Sequence, residues 1–313
     1  MIKSESKLNM SDFIIQGFSD FPEIQVPMCV IFLYSYFLII CGNLTIIVVV
    51  WKTPHLHTPM YIFLVNLSFI DIASTSNILP KLLAILCTKI KTISFLGCIT
   101  QMYTFISLSC TEIILLAAMA YDRYVAICHP LRYFVIMPLN QCFRLYFISW
   151  SVGFLDPIAH TVLISKLSFC SNNFIDHFFC DLNPLLKISC TDTSNVTMLT
   201  YVEGTLLGIT TFTLTLVSYI FIISTILKIK SAEGQRKAFS TCTAHLTCVT
   251  VFYGTLLCLY MRPTSSFSPK QEKYYSLLYI VLVPMFNPII YSLKNEEFKH
   301  VLVRIKKYHF SFA

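Results

Sequence analysis

Asp71 and Glu112 are carboxylates embedded in long apolar runs, and Asn43 and Asn287 are amides in similar surroundings. Burying an ionised carboxylate in such a run costs on the order of several kcal/mol unless it is paired, protonated or bound to a cation. No lysine accompanies the two acids in the cores of their runs. Asp71 and Glu112 are therefore expected to form a cation site or to share a proton. The alternative is a neutral, hydrogen-bonded carboxyl that only ties helices together.

A second group with chemical potential is Asp122-Arg123-Tyr124, inside the string MAYDRYVAICHPLRY at 119–133. An arginine at the end of an apolar run must snorkel to water or pair, and the adjacent acid offers a partner. Such a pair has two arrangements, closed on its own bundle or opened toward another protein. Of 13 cysteines, Cys98, Cys170, Cys180 and Cys190 fall in or beside loops. In an oxidising compartment they allow three pairings, and pairing Cys98 with a loop cysteine would draw that loop across the bundle as a lid. The other nine lie in or near apolar runs and read as small packing residues.

The elements that position these groups follow from composition. Of 313 residues, 56% are hydrophobic and 12% charged, with a mean hydropathy of +0.69. A soluble fold could not hide that much apolar surface, so the solvent is lipid. Crossing the hydrocarbon takes about 20 mostly apolar residues in a helix. Seven stretches qualify, at 26–51, 58–86, 95–126, 140–164, 196–228, 238–261 and 272–293. The chain thus divides into an external tail (1–25), a seven-helix domain (26–293) and an inner tail (294–313). No apolar segment with a cleavage site precedes the first span, which is expected to direct insertion itself. The net charge of +7 is scattered singly along the chain, which argues against nucleic acid as a partner. The sequence contains no HExxH, CxxC, GxSxG or Gly-rich phosphate motif, so no common enzyme or cofactor motif competes.

Charge orients the bundle. Lys52, Arg123, Arg132, Arg144, Lys228, Lys230, Arg236, Lys237 and five more bases after residue 293 share one side with only Asp122, Glu233, Glu296 and Glu297. That side is cytoplasmic, which puts the N-terminus outside. The sequons at Asn9 and Asn195 then face the exterior and are candidates for glycosylation, whereas those at Asn43 and Asn66 lie within spans and are chance matches. After the seventh span, Phe298, Val301, Leu302 and Ile305 recur at helical spacing among basic residues, as in a short helix lying on the inner leaflet.

The strings LHTPMYIFLVNLSFID (56–71), MAYDRYVAICHPL (119–131), SY (218–219), KAFSTCTAHL (237–246) and PMFNPIIYSLKN (284–295) resemble the signatures of vertebrate olfactory receptors of the class II type. They occur in order, each at the expected helix end, over residues 10 to 300. Asn43, Asp71, Arg123 and Asn287-Pro288-Ile289-Ile290-Tyr291 also resemble the wider rhodopsin-like receptor pattern. The resemblance implies a plasma-membrane receptor that binds a small, mostly hydrophobic or volatile ligand and activates a stimulatory-type heterotrimeric G protein. It implies the disulfides Cys98–Cys180 and Cys170–Cys190, and a sodium-type site at Asp71 and Glu112 that holds an allosteric sodium ion. It assigns coupling and switching to Asp122, Arg123, Tyr124, Tyr219, Lys237, His245, Asn287, Pro288 and Tyr291, with Tyr253 standing where many such receptors carry a switch tryptophan.

It further implies a ligand cavity between helices three, five, six and seven. Spacing from the motifs brings Met102, Phe105, Ile106, Ser109, Cys110, Glu203, Leu206, Leu207, Tyr253, Leu256, Tyr260, Leu277 and Ile280 toward that cavity, with Ser109, Tyr260 and Glu203 as its polar groups. Thr211 departs from the family pattern, standing where the fifth helix often has proline, which leaves the shape of that helix open. Ala244 and Lys294 also depart from it, where serine and arginine are usual. The same fold could serve a non-odour ligand. A transporter using Asp71 and Glu112 as its transport site is the rival of another class, but no inverted repeat supports it.

Overall fold

The computed structural model describes residues 12–18, 23, 25–88, 90–169, 173–260, 269–294, 298, 299, 301 and 302. The expected spans run as helices α1 (Gln25–Lys52), α2 (Pro59–Thr88), α3 (Phe95–Cys128), α4 (Leu139–Ser165), α5 (Ser194–Leu227), α6 (Ala232–Tyr260) and α7. The last consists of Pro269–Leu277, a π-helical turn at Leu278–Leu282 and Val283–Lys294. Pro59 opens α2, where a missing N–H costs nothing. Ser94 caps α3 by accepting from Gly97 N at 3.1 Å. Six of the helices are long and apolar enough to cross a membrane, whereas in α6 only His245–Leu259 is apolar. The first turns of α6 are polar and carry Glu233 and Arg236, so this helix extends beyond the hydrocarbon on the basic side.

α3 is the hub, packing against α2, α4, α5 and α6, while α1 packs on α2 and α7. At Gly42, an added Cβ would stand 3.0 Å from Pro288 Cγ, so the missing side chain sets the close approach of α1 to α7. Many large apolar residues of α1, α4 and α5, such as Phe37, Phe147 and Phe221, point outward, as expected where the solvent is lipid. Two cysteines depart from the packing role assigned to them. Cys29 and Cys87 form a disulfide across the outer ends of α1 and α2, with Cα atoms 6.5 Å apart.

The outer face is capped by a sheet that the sequence did not announce. β1 (Phe13–Ile15) is its central strand, antiparallel to β2 (Thr92–Ile93) and parallel to β3 (Phe174–Ile175). Phe13 and Ile15 are buried and Ile14 is exposed, so one face of the strand packs on the bundle. Part of the expected external tail is therefore a structural element of the lid. On the inner side, Phe298 and Val301 are buried, with Phe298 stacked on Tyr61 at 6.5 Å. The expected amphipathic helix thus anchors to the bundle at these positions, and most of it lies outside the described residues.

Candidate functional site

Cys98 at the top of α3 is bonded to Cys180, and Cys180 N donates to Gln101 Oε1 at 2.9 Å. Cys190 is disulfide-bonded as well, while Cys170 lies outside the described residues. The tethered loop packs Phe178, Phe179 and Leu182 onto the bundle, and two ion pairs join the lid to α7. Lys187 Nζ lies 2.6 Å from Glu272, and Lys273 Nζ lies 2.6 Å from Asp176 while donating to Gly17 O at 3.1 Å. His177 sits between these pairs, fully buried, with its ring against Phe178 and Phe179.

Burial and the nearby charges of Lys273 and Lys187 pull the His177 pKa down to about 3 from the ordinary 6.5. Between these values the unfolded chain binds a proton that the folded chain does not. Stability therefore rises with pH across that window and falls as pH drops below about 6.5, by roughly 1 kcal/mol per unit. The melting temperature of the purified receptor is expected to fall between pH 7 and pH 5. His177→Gln is expected to remove part of that slope, and an unchanged slope would count against the buried neutral imidazole.

Beneath the lid lies a cavity of about 260 Å³, lined by α3, α4, α5, α6 and the loop residues Asp181 and Leu182. Eight of the residues expected at a ligand border it: Phe105, Ile106, Ser109, Cys110, Glu203, Leu207, Tyr253 and Leu256. Met102 does not; it is packed under the lid with Phe13 and the Cys98–Cys180 bridge. Leu277 and Ile280 belong to the core around α7 instead. Of Tyr260, only the backbone is among the described residues. No α7 residue lines the cavity among the described residues, because Tyr279 draws α7 onto α3. Its hydroxyl lies 3.0 Å from both Ser109 Oγ and Glu112 Oε2, and its ring packs edge-on against Phe105 and Phe252. Ser109 donates in turn to Phe105 O at 2.9 Å, so its hydroxyl is already committed within the fold.

Leu206 is 65% exposed and faces outward. The reason is a π-helical segment at Gly204–Ile209, which shifts the register so that Gly204, Leu207 and Gly208 face the cavity. This also answers what Thr211 does in place of proline: its hydroxyl donates to Leu207 O at 2.7 Å and Gly208 O at 3.2 Å, partnering carbonyls within the widened turn. The cavity gains residues that the motifs did not indicate, chiefly Asp156, His160, Thr200 and Phe212. Asp156 sits where Pro157 interrupts α4. A lone acid beside a proline in an otherwise apolar span was the available signal.

Asp71 of α2 and Glu112 of α3 are close enough for their charges to interact. Asn287 Nδ2 donates to both oxygens of Asp71, at 3.0 and 3.2 Å, and Glu112 is 4% exposed and held by Tyr279. Asn43 Nδ2 donates to Ile39 O and Pro284 O. Several buried oxygens on the same helices have no hydrogen-bond partner, namely Asn43 Oδ1, Ser68 Oγ, Thr75 Oγ1 and Ser107 Oγ. At the inner end of α3, Arg123 Nε donates to Asp122 Oδ2 at 3.0 Å, Arg123 Nη2 pairs with the same oxygen, and Tyr133 donates to Asp122 Oδ1 at 2.7 Å. Beside them, Tyr219 of α5 meets His245 Nδ1 of α6 at 2.6 Å, and Tyr124 meets His129 Nε2 at 3.1 Å. The side chains of Lys237 and Tyr291 lie outside the described residues, as does Asn9. Asn195 is exposed in the first turn of α5, whereas Asn66 accepts from Trp150 Nε1 at 3.3 Å.

A family model described as olfactory receptor matches residues 29–308. Olfactory receptor 8H3 of Homo sapiens is 44% identical over 306 residues, covering 97% of each chain. Olfactory receptor 6B9 of Mus musculus is 46% identical over 298 residues, covering 95% of this chain and 94% of the relative. The olfactory receptor-like protein COR4 of Gallus gallus is 46% identical over 293 residues, 94% of each. With its lidded bundle and membrane-facing surface, the chain belongs to the olfactory receptor family and is a multi-pass, G-protein-coupled receptor of the plasma membrane, not an enzyme.

Proposed function

We propose that this receptor binds a small, mostly hydrophobic odorant in the cavity between α3, α4, α5 and α6 and activates a stimulatory-type heterotrimeric G protein at the inner ends of α3, α5 and α6. The observation that carries this reading is the continuity of the route: Ser109 borders the cavity and shares Tyr279 with Glu112. Below, α3 continues to the Asp122–Arg123 pair, packed near Tyr219 and Cys242. An agonist acts by binding the active arrangement more tightly, and a tenfold preference supplies about 1.4 kcal/mol toward it. In that arrangement Arg123 leaves Asp122 and turns to the G protein. Cells expressing the chain should raise cyclic AMP in response to ligand without accumulating it. Ligand uptake without cyclic AMP would favour the transporter reading instead.

Asp71 and Glu112 are proposed to hold a sodium ion or a shared proton in the resting receptor. The donor set suits a hard, partly hydrated cation: two carboxylates, with the unpartnered hydroxyls of Ser68 and Thr75 one turn either side of Asp71 on α2. Such an ion supplies the positive charge that lets both acids stay ionised in a low dielectric. Exchanging sodium for a bulky organic cation at constant pH should raise basal cyclic AMP severalfold, and Glu112→Gln should blunt that response. Identical responses of the two receptors would leave a neutral hydrogen-bonded pair.

A further inference from the structure

The corner of the cavity between α4 and α5 gathers hydrogen-bond acceptors. Asp156, Glu203 and Asp181 all border the cavity, and no lysine or arginine does among the described residues. Asp181 is used by the lid, where its Oδ1 accepts from Leu182 N at 2.7 Å. Asp156 Oδ2 faces the Cys110 thiol at 3.3 Å, a weak donor. His160, 4% exposed, joins the two helices that carry the remaining acids. Thr200 Oγ1 gives its proton to Val196 O at 2.9 Å, so it must accept from His160 Nε2, 3.0 Å away. That places a hydrogen on Nε2, and in the neutral ring Nδ1 is then a bare acceptor. Nδ1 faces Glu203 Oε2 at 3.0 Å, and neither atom has an aligned hydrogen-bond partner. Two lone pairs at that distance repel unless a donor reaches both. A proton on either atom would close this contact but would leave Asp156 with only the thiol.

We infer that the polar end of the ligand is a protonated amine, held by Glu203 and Asp156 with His160 Nδ1 as a further acceptor. An ammonium group brings several N–H donors and one positive charge, which are what this corner lacks. Its hydrocarbon part lies against Phe105, Leu207, Phe212 and Leu256, the apolar side of the same cavity. At about 260 Å³ the space is at or below the small end of ligand pockets, roughly 300–1,000 Å³, so the skeleton is one ring or a short chain. This inference rests on the proposed cavity being the odorant site.

The test is a cyclic AMP assay in cells expressing the full chain. It compares cyclohexylamine, benzylamine and hexylamine with the alcohol, ketone and carboxylic acid closest to each in skeleton. An amine should act at a concentration about tenfold or more below its counterparts, which corresponds to about 1.4 kcal/mol. Glu203→Gln and Asp156→Asn should each raise the concentration needed by about the same factor at matched surface expression. Glu203→Asp, which keeps the charge, should recover part of the response. If no amine activates, or if an alcohol, ketone or acid acts at lower concentration than its amine, the amine assignment is overturned while the cavity reading stands. If an amine activates wild type and Leu207→Trp equally at matched surface expression, the cavity reading itself falls.

Discussion

Arg123→Ala is expected to reduce agonist-driven cyclic AMP to background while the receptor still reaches the cell surface. In the resting arrangement Arg123 holds Asp122 by two charge-assisted contacts, and Asp122 is fully buried. Truncating one partner of a buried pair costs about 3–5 kcal/mol when the other is left unpaired. Here Asp122 keeps the Tyr133 hydroxyl at 2.7 Å, so the loss of stability falls below that range and the fold survives. Coupling does not survive, because the guanidinium that pairs with Asp122 is the group that turns to the G protein in the proposed active arrangement. Asp122→Asn works in the opposite direction: it frees the arginine and should raise basal signalling severalfold. Surface staining with cyclic AMP readout separates the cases. Normal signalling from a surface-expressed Arg123→Ala receptor would refute the role given to that residue.

Cys98→Ser or Cys180→Ser is expected to abolish both surface expression and ligand response. The bridge closes a loop of 82 residues. In the chain-entropy treatment that constraint is worth about 4–5 kcal/mol, a large share of the 5–15 kcal/mol typical of a folded domain. Losing it also releases the loop that places Asp181 and Leu182 over the cavity. Mass spectrometry of unreduced protein should find Cys98 joined to Cys180 and Cys29 joined to Cys87. A different partner for Cys98 would refute the assignment.

The bundle was legible because lipid imposes a severe rule: the backbone must satisfy itself, so seven apolar stretches can only be helices. The expected ends fall within a few residues of those found, apart from α6, whose polar first turns extend it to Ala232. What stayed hidden was local. Phe13-Ile14-Ile15 is too short to signal a strand before its partners at Thr92 and Phe174 are known. The inward set of α5 was misjudged at Leu206 because even helical spacing cannot foresee a π-helical turn, which Gly204 and Gly208 permit and the Thr211 hydroxyl supports. Asp156 and His160 belong to no motif, although the outer half of α4 supplies the cavity's polar corner. Cys29 and Cys87 read as packing residues because a pairing between two helix ends leaves no trace in their spacing.

In the proposed mechanism a ligand beneath the lid drives the inner end of the bundle. Filling the cavity tests it most directly: cyclic AMP dose–response curves for an activating ligand on wild type and Leu207→Trp, compared at equal surface expression. The indole would occupy much of the 260 Å³ space and should raise the concentration for half-maximal response by about a hundredfold or more, equivalent to about 2.7 kcal/mol. Superimposable curves for the two receptors would show that the ligand acts from outside this cavity.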